Sequence, residues 1–281
     1  MTLLSKRDKL HRALARLNAL ACPVCGRTMA RAEEDYACVA GHRINTHRKG
    51  CLNMLSSRVD TFYDAALFEA RRRVFAAGCY DQVAEAMDGM LPSGPHRLLD
   101  AGCGDGWYLN ALLTRHPDWA GAGIDISRDA IFQATDQPCE AAWCVADLRR
   151  LPFADGAFTA VLDVLTPAGY EEFRRVLAPE GVLVKVYPGS GYLKELRAAR
   201  GMPPYEEGEV DGYLRSRTAV AAERRITDLR SVSPELWRDF VWMTPLNQDL
   251  SSEEKEALAL RSPGAVTIDL HIAVCRFSSN G

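Results

Sequence analysis

Residues 98–106 read Leu98-Leu99-Asp100-Ala101-Gly102-Cys103-Gly104-Asp105-Gly106, shortly after the break Leu91-Pro92-Ser93-Gly94-Pro95. The apolar start predicts a buried strand at 97–101. The three glycines permit a sharp turn and a close approach of the backbone to a ligand. A helix is predicted at 107–115, and its N-terminus would face an anionic group. Together these features predict a ligand crevice at the carboxyl edge of a parallel sheet.

The rest of the chain continues to alternate between strand and helix patterns. Strands are predicted at 121–125, 142–146, 158–163 and 181–187, and helices at 128–135, 170–177 and 191–199. The alternation predicts an α/β fold with a Rossmann-like, mostly parallel sheet and helices on both faces. Residues 203–215 are rich in Pro, Gly and acids, and we expect them to form a loop. After this loop we predict extended segments at 217–227 and 266–277 and helices at 234–241 and 251–260.

Carboxylates close the neighbouring strands. Asp125 follows the glycines by about twenty residues, where a carboxylate can accept hydrogen bonds from ribose hydroxyls. Asp147 closes the third strand, on the adenine side. Two alternative interpretations of the glycine-rich segment are a nicotinamide-dependent enzyme and a turn that binds no ligand. Dinucleotide dehydrogenases, however, use G-x-G-x-x-G, and this segment does not match that pattern.

The Asp-Ala-Gly-x-Gly-x-Gly form resembles the first motif of class I methyltransferases that use S-adenosylmethionine (SAM), and the Pro179-Glu180-Gly181 turn is similar to one in that class. The resemblance implies SAM as cofactor, with Asp100 orienting the loop and the methionine amino group. The expected SAM-binding residues are Asp100, Gly102, Gly104, Gly106, Asp125, Ile126, Asp147 and Leu148.

A metal-ligand pattern precedes this domain. Cys22-Pro-Val-Cys25 and Cys38-Val-Ala-Gly-His42 give the spacing C-x2-C-x12-C-x3-H. Two close pairs on facing turns suit tetrahedral zinc, and four protein ligands leave no open position, so the zinc is expected to be structural. His47 and Cys51 are the rival ligands.

Charge is distributed unevenly along the chain. Residues 1–73 contain 14 Lys and Arg against 7 Asp and Glu, a net charge of +7, whereas the remainder contains 20 against 30, a net charge of −10. A basic arm on an acidic body favours a polyanionic partner, although Lys6, Arg7, Lys9 and Arg12 also fit a solvated helix face. The predicted division is a helix and zinc module at 1–57, a helical linker at 58–95 and a catalytic domain at 96–281.

Several segments together resemble one family, the ribosomal RNA (guanine-N1)-methyltransferases, which include macrolide-resistance enzymes. The matching residues beyond the zinc pattern are Lys49-Gly50-x-Leu52-Asn53-Met54-Leu55, Glu69-Ala-Arg71-Arg72, Gly78-x-Tyr80 and Leu151-Pro152-Phe153. Thr166-Pro167 and Cys51 differ from the family pattern, and residues 1–20 are additional. The resemblance implies methylation of guanine N1 in a hairpin of 23S ribosomal RNA, often by a homodimer.

This chemistry requires that the proton on guanine N1 leaves before or during attack. Asp163, at the end of the fourth strand, is the candidate acceptor. Phosphate contacts are predicted at Arg43, Arg48, Lys49, Arg71 and Arg72, all of them in the basic arm. Arg71 and Arg72 could instead cover their own helix.

Two other classes of function stay open at this point: a small-molecule methyltransferase, and an RNA-binding protein with a degenerate SAM pocket. The sequence contains no apolar run of about 20 residues, as a membrane span needs. It also lacks a secretion signal, and its nine cysteines form an odd number. These features predict a reduced, cytoplasmic protein.

Overall fold

The computed structural model describes residues 4–55, 57, 59 and 64–277. Its helices are α1 (Lys6–Leu17), α2 (Ala65–Ala76), α3 (Asp81–Met90), α4 (Trp107–Arg115), α5 (Arg128–Ala134), α6 (Tyr170–Val176), α7 (Lys194–Ala199), α8 (Glu209–Arg217), α9 (Pro234–Met243) and α10 (Ser252–Ala259). Its strands are β1 (Met29–Ala32), β2 (Asp35–Cys38), β3 (Arg43–Ile44), β4 (Leu52–Asn53), β5 (Arg97–Ala101), β6 (Ala120–Asp125), β7 (Ala142–Val145), β8 (Phe158–Val164), β9 (Leu177–Pro188), β10 (Ala219–Ser231) and β11 (Ala265–Arg276). Within the described ranges, no helix is long and apolar enough to cross a membrane.

The chain divides into two compact units. Unit 1 comprises Met1–Thr61 and Leu91–Val184, and unit 2 comprises Phe62–Met90 and Lys185–Gly281. These bounds differ from the domain division predicted from the sequence, at 1–57, 58–95 and 96–281. That division stays a prediction. Strand β9 begins in unit 1 and ends in unit 2.

In unit 1 the strands follow the order β9-β8-β5-β6-β7-β4. The pairs β5–β6, β5–β8, β6–β7 and β4–β7 are all parallel. Strands β5, β6 and β7 are buried almost throughout, as expected of a parallel sheet covered on both faces. The α/β class and the strands predicted in this unit are therefore confirmed, whereas β4 was not predicted.

Helix α1 packs against β6 and β7 within unit 1. Ser5 and Asp8 form a capping box at its start, and Asn18 ends it in a left-handed conformation at φ 46°. Leu10, Leu14 and Leu17 lie on one face of the helix and are buried. The helix that was expected at the start of residues 1–57 therefore spans Lys6–Leu17.

In unit 2, α2 packs against α9, and β10 pairs with β11 in a long antiparallel ladder. The prediction of a loop at 203–215 is wrong from Glu209 onward, where α8 begins. Gly208, at φ 121°, starts this helix, and Asp211 pairs with Arg215 four residues later at 2.9 Å. Of the predicted helical linker at 58–95, residues 58 and 60–63 lie outside the described residues.

Substitution of Gly123 by Ala should destabilise the sheet. A Cβ atom there would lie 2.6 Å from Cε3 of the buried Trp143, on the neighbouring strand. We expect a loss of about 1–3 kcal/mol in the free energy of unfolding, measured by chemical denaturation. The matched control is Gly89→Ala in α3, where nothing lies within 4 Å of the added atom. That control should be neutral or stabilising by up to about 1 kcal/mol, and equal behaviour of both variants would contradict this account.

Candidate functional site

The N-terminal module is built from two tight turns that each present a pair of metal ligands. In the first, Gly26 N–H donates to the Cys22 carbonyl at 2.9 Å. In the second, Gly41 N–H donates to the Cys38 carbonyl at 2.9 Å. Gly26 and Gly41 have φ values of 72° and 86°, in the left-handed region that glycine tolerates. The two glycines beside the ligand pairs therefore close these turns.

The four predicted ligands meet at one point. Cys22 Sγ lies 3.6 Å and Cys38 Sγ 3.5 Å from His42 Nδ1, and the Sγ atoms of Cys25 and Cys38 are 3.7 Å apart. Zinc with Zn–S of about 2.3 Å and Zn–N of about 2.0–2.1 Å sets tetrahedral edges of about 3.8 Å between two sulfurs and about 3.6 Å between sulfur and nitrogen. The donor set and its spacing therefore fit a structural zinc ion.

The rival ligands are occupied elsewhere. His47 stacks on the ring of Phe132, with 4.8 Å between the ring centroids. Cys51 is buried, and burial raises the pKa of its thiol to about 11. Among the described residues, the group of Cys, His, Asp and Glu suited to a metal consists of Cys22, Cys25, Cys38 and His42.

Backbone hydrogen bonds tie this module to the rest of unit 1. Ala21 N–H donates to the Pro152 carbonyl at 2.9 Å, and Ala154 N–H donates to the Ala19 carbonyl at 2.8 Å. Further along, Met54 N–H donates to the Val145 carbonyl at 2.9 Å, next to the parallel pairing of β4 with β7. The Leu-Pro-Phe segment at 151–153 thus serves as an attachment point for the metal module.

The glycine loop lies at the carboxyl ends of β5 and β6. Gly102, Gly104 and Gly106 have φ values of 77°, 56° and 78°. Gly104 N–H donates to Oδ2 of Asp125 at 2.9 Å, and Ser127 N–H donates to Oδ1 at 2.8 Å. The carboxylate at the end of the second strand therefore fixes the position of the glycine loop.

Two neighbours of the loop were not predicted from the sequence. A Cβ atom at Gly102 would lie 2.8 Å from Cγ2 of Thr166, and one at Gly106 would lie 2.7 Å from Cζ3 of Trp143. Gly123, inside β6, gives room to the same indole ring. A glycine within a strand is the signal that could have indicated such a close approach.

Asp100 is almost completely buried below the loop. Burial, and after it the nearby carboxylates of Asp125, Asp105 and Asp163, raise the pKa of its carboxyl to about 8. Among the described residues, its Oδ2 has no hydrogen-bond partner. A buried oxygen of this kind fits a cofactor that brings a cationic donor, such as the ammonium of SAM.

The remaining predicted cofactor residues follow the strand ends. Ile126 comes directly after β6, and Asp147 and Leu148 lie just beyond β7; all three are half-buried. The carboxylate of Asp147 accepts hydrogen bonds from Arg149, including one of 2.7 Å from the guanidinium. This pairing lowers the pKa of Asp147.

The predicted proton acceptor, Asp163, lies near the end of β8 and is completely buried. It is one of the carboxylates that raise the pKa of Asp100. Two residues later, Leu165 has φ 55°, a conformation that a branched apolar residue rarely adopts. The carboxyl end of β8 therefore combines a buried acid with a strained, exposed turn.

The predicted RNA contacts are divided between the units: Arg43, Arg48 and Lys49 lie in unit 1, and Arg71 and Arg72 in unit 2. Arg43 forms an ion pair with Asp35 at 3.2 Å, and Arg71 donates to the Met243 carbonyl at 3.1 Å. Arg48 and Arg72 are exposed. These five residues do not form a single cluster within either unit.

Comparison with known proteins agrees with this geometry. Residues 98–181 match the Methyltransferase domain family. The YcgJ protein of Bacillus subtilis has a similar fold, with a TM-score of 0.50 at 14% identity over 71% of this chain and 100% of that chain. The fold and the cofactor crevice define a SAM-dependent methyltransferase of class I.

Two relatives match almost the whole chain. "Putative 23S rRNA (guanine-N(1)-)-methyltransferase YxjB" of Bacillus subtilis (strain 168) is 34% identical, over 90% of this chain and 95% of the relative. The 23S rRNA (guanine(748)-N(1))-methyltransferase of Streptomyces fradiae is 30% identical, over 92% and 96%. This chain belongs to the family of 23S rRNA (guanine-N(1)-)-methyltransferases. The family and the cofactor expected from the sequence are therefore confirmed.

Replacement of Cys25 by Ser should remove the metal. We expect one zinc ion per parental chain and less than a tenth of that in the variant, because a tetrahedral structural site loses most of its affinity with a ligand. Elemental analysis of dialysed protein measures this. The matched control is Cys51→Ser, which changes a cysteine outside the cluster and should retain the zinc. Full zinc content in Cys25→Ser, or loss in Cys51→Ser, would show that the ligand set is wrong.

SAM affinity should rise with pH because of Asp100. The folded protein keeps this carboxyl protonated up to about pH 8, far above its ordinary value of 3.8. A cationic cofactor favours the ionised form, so binding at lower pH must also release the proton. We expect affinity to increase between about pH 6 and pH 7.5, by up to about tenfold per pH unit, in titration calorimetry. The variant Asp100→Asn should bind SAM weakly, and its affinity should depend little on pH. If the SAM affinity of the parent does not change with pH, binding is not coupled to ionisation of Asp100.

Proposed function

We propose that this protein transfers the methyl group of SAM to N1 of a guanine in 23S ribosomal RNA. The observation that carries the proposal is the presence of the Cys3His cluster and the glycine-loop crevice in one compact unit. The segments that flank the cluster are hydrogen-bonded to the body of this unit at Pro152 and Val145. The two full-length relatives, named for this reaction, support the same substrate. SAM supplies an electrophilic methyl group when bound, so the protein's task is to bind and orient the acceptor.

The acceptor atom determines what the RNA must do. Guanine N1 lies on the Watson–Crick edge and is hidden in a base pair, so the target guanine must be unpaired or flipped out of its stack. We propose that the target lies in the loop of a 23S hairpin and that its base enters at the carboxyl ends of β5 and β8. The residues proposed to hold SAM there are Asp100, Gly102, Gly104, Gly106, Asp125, Ile126, Asp147 and Leu148.

Asp163 is the proposed acceptor of the N1 proton. Its position at the end of β8 places it beside Asp100, one strand away from the glycine loop. Because it is completely buried, substrate binding has to uncover it before it can reach the base. The strained turn at Leu165 is the nearest segment whose movement would do so.

Three further parts of the proposal are a homodimeric enzyme, a cytoplasmic location and a role in macrolide resistance. The first and the third rest on the family resemblance, and the second rests on the cysteine usage of the sequence. Mass measurement in solution tests the first, and macrolide susceptibility of a host with and without the gene tests the third. A role limited to ribosome maturation would leave susceptibility unchanged.

The experiment that tests the function is methyl transfer from labelled SAM to an unmodified transcript of 23S rRNA. We expect incorporation of one methyl group and a new reverse-transcription stop at one guanine, because N1 methylation blocks Watson–Crick pairing. Transfer only to small molecules would indicate the first alternative class of enzyme. Tight RNA binding without transfer would indicate the second, an RNA-binding protein with a degenerate SAM pocket.

The same assay tests Asp163. We expect Asp163→Asn to lower kcat by about 10²- to 10⁴-fold, as loss of a general base does. The KM for RNA and the affinity for SAM should stay near the parental values. If SAM affinity falls together with kcat, Asp163 has a structural role at the cofactor site instead.

A further inference from the structure

Most cations of α1 already have partners inside unit 1. Lys6 pairs with Asp136, and Arg12 pairs with Glu140 at 3.3 Å. Lys9 donates to the Pro138 carbonyl at 2.8 Å, and Arg16 donates to the Pro117 carbonyl at 3.1 Å. The positive charge of the first helix is therefore largely used to hold that helix against the body. The part of unit 1 that binds RNA therefore has to lie outside this helix.

One group of cations gathers around a single aromatic ring. Lys49 Nζ lies 4.6 Å and Arg128 Cζ 4.8 Å from the centroid of the half-buried Phe132. His47 stacks on the same ring at an interplanar angle of 19°. We refer to His47, Arg48, Lys49, Arg128 and Phe132 as the Phe132 cluster. The zinc module supplies the first three residues, and helix α5 of the body supplies the other two.

The charge of this cluster is not balanced within the described part of the chain. Among those residues, no carboxylate lies within 4.0 Å of the cationic groups of Arg48, Lys49 or Arg128. The pKa of His47 is lowered by burial and then by four surrounding cations, Arg128, Arg48, Lys49 and Arg7. A cation–π contact contributes about 0.5–1 kcal/mol at an exposed site but leaves the positive charge in place. Cations held together in this way present a preformed site for anions.

The cluster borders the cofactor crevice. Helix α5 begins at Arg128, directly after Ser127, whose N–H donates to the Asp125 carboxylate at 2.8 Å. The same carboxylate holds Gly104 of the glycine loop. An anionic strand bound at Arg128 would therefore pass beside the ribose end of the SAM site.

We infer that the Phe132 cluster is a binding surface for the phosphate backbone of the RNA substrate, built jointly by the zinc module and the catalytic body. The inference rests on the proposed function and adds Arg128 and Phe132 to the predicted contacts Arg48 and Lys49. Arg48, Lys49 and Arg128 contact phosphates. Phe132 is a positioning residue, because His47 covers one of its faces and the ring holds the cations in place. Phosphate contacts fix the register of the strand but do not select the base.

The test compares RNA affinity over a series of salt concentrations, with the 23S transcript as the probe. Arg128→Gln should weaken binding about three- to tenfold and reduce the slope of log affinity against log salt by about one, because one phosphate contact is lost. Phe132→Leu keeps an apolar side chain but removes the π face, and should reduce the slope by a smaller amount. The matched control is Arg97→Gln, which removes an exposed arginine at the amino end of β5, the opposite edge of the sheet.

Each outcome separates this inference from the proposed function. SAM affinity of Arg128→Gln, measured by calorimetry, should stay within about twofold of the parent. If Arg128→Gln and Arg97→Gln have the same slope while the parent methylates the transcript, the inference is overturned and the function stands. If the parent binds the transcript with the expected salt dependence but never methylates it, the function fails and the surface stands. If the true partner of the cluster is an acidic protein, Arg128→Gln will keep the parental slope of log RNA affinity against log salt. That result also overturns the inference.

Discussion

The indole ring of Trp143 fills the space that two glycines leave, and the cofactor site of unit 1 depends on that contact. Gly123 lies opposite Trp143 on the neighbouring strand, and Gly106 lies at the start of α4. Any side chain at either position would meet the ring. The ring therefore brings the glycine loop down onto the sheet, so that Asp125 can hold the loop amide of Gly104. Close packing of one aromatic side chain determines the shape of a polar site.

The metal module belongs to the same construction. Its turns are closed locally by Gly26 and Gly41, but its position is set by hydrogen bonds to Pro152 and Val145 on the body. Strand β4, which leaves the module, continues the parallel sheet beside β7. The zinc module is thus joined through β4 and these hydrogen bonds to the edge of the sheet where the cofactor binds. The zinc site and the cofactor site share no ligand.

Local features of the chain could be predicted from the sequence, and long-range ones could not. The glycine loop, its flanking strands and the Cys3His spacing each lie within about forty residues of continuous sequence, and periodicity or ligand spacing indicates them directly. Helix α8 was missed because a cap at Gly208 and the Asp211–Arg215 pair outweigh a segment rich in Pro and acids. Strand β4 has only two residues, Leu52 and Asn53, and too short a pattern for periodicity to detect. The Phe132 cluster joins residues 47–49 to residues 128–132, a proximity that the sequence does not encode locally.

The addition of β4 to the sheet also has a consequence for aggregation. An open strand at the border of a sheet offers unpaired amide and carbonyl groups to any other extended chain. Without residues 52–53, the apolar strand Ala142–Val145 would become that border. The short strand from the metal module therefore acts as a cover against edge-to-edge aggregation. A truncated chain that begins after the module would lose this cover. If that chain is insoluble, the cause would be the exposed edge of β7, and the result would say nothing about the role of the module in catalysis.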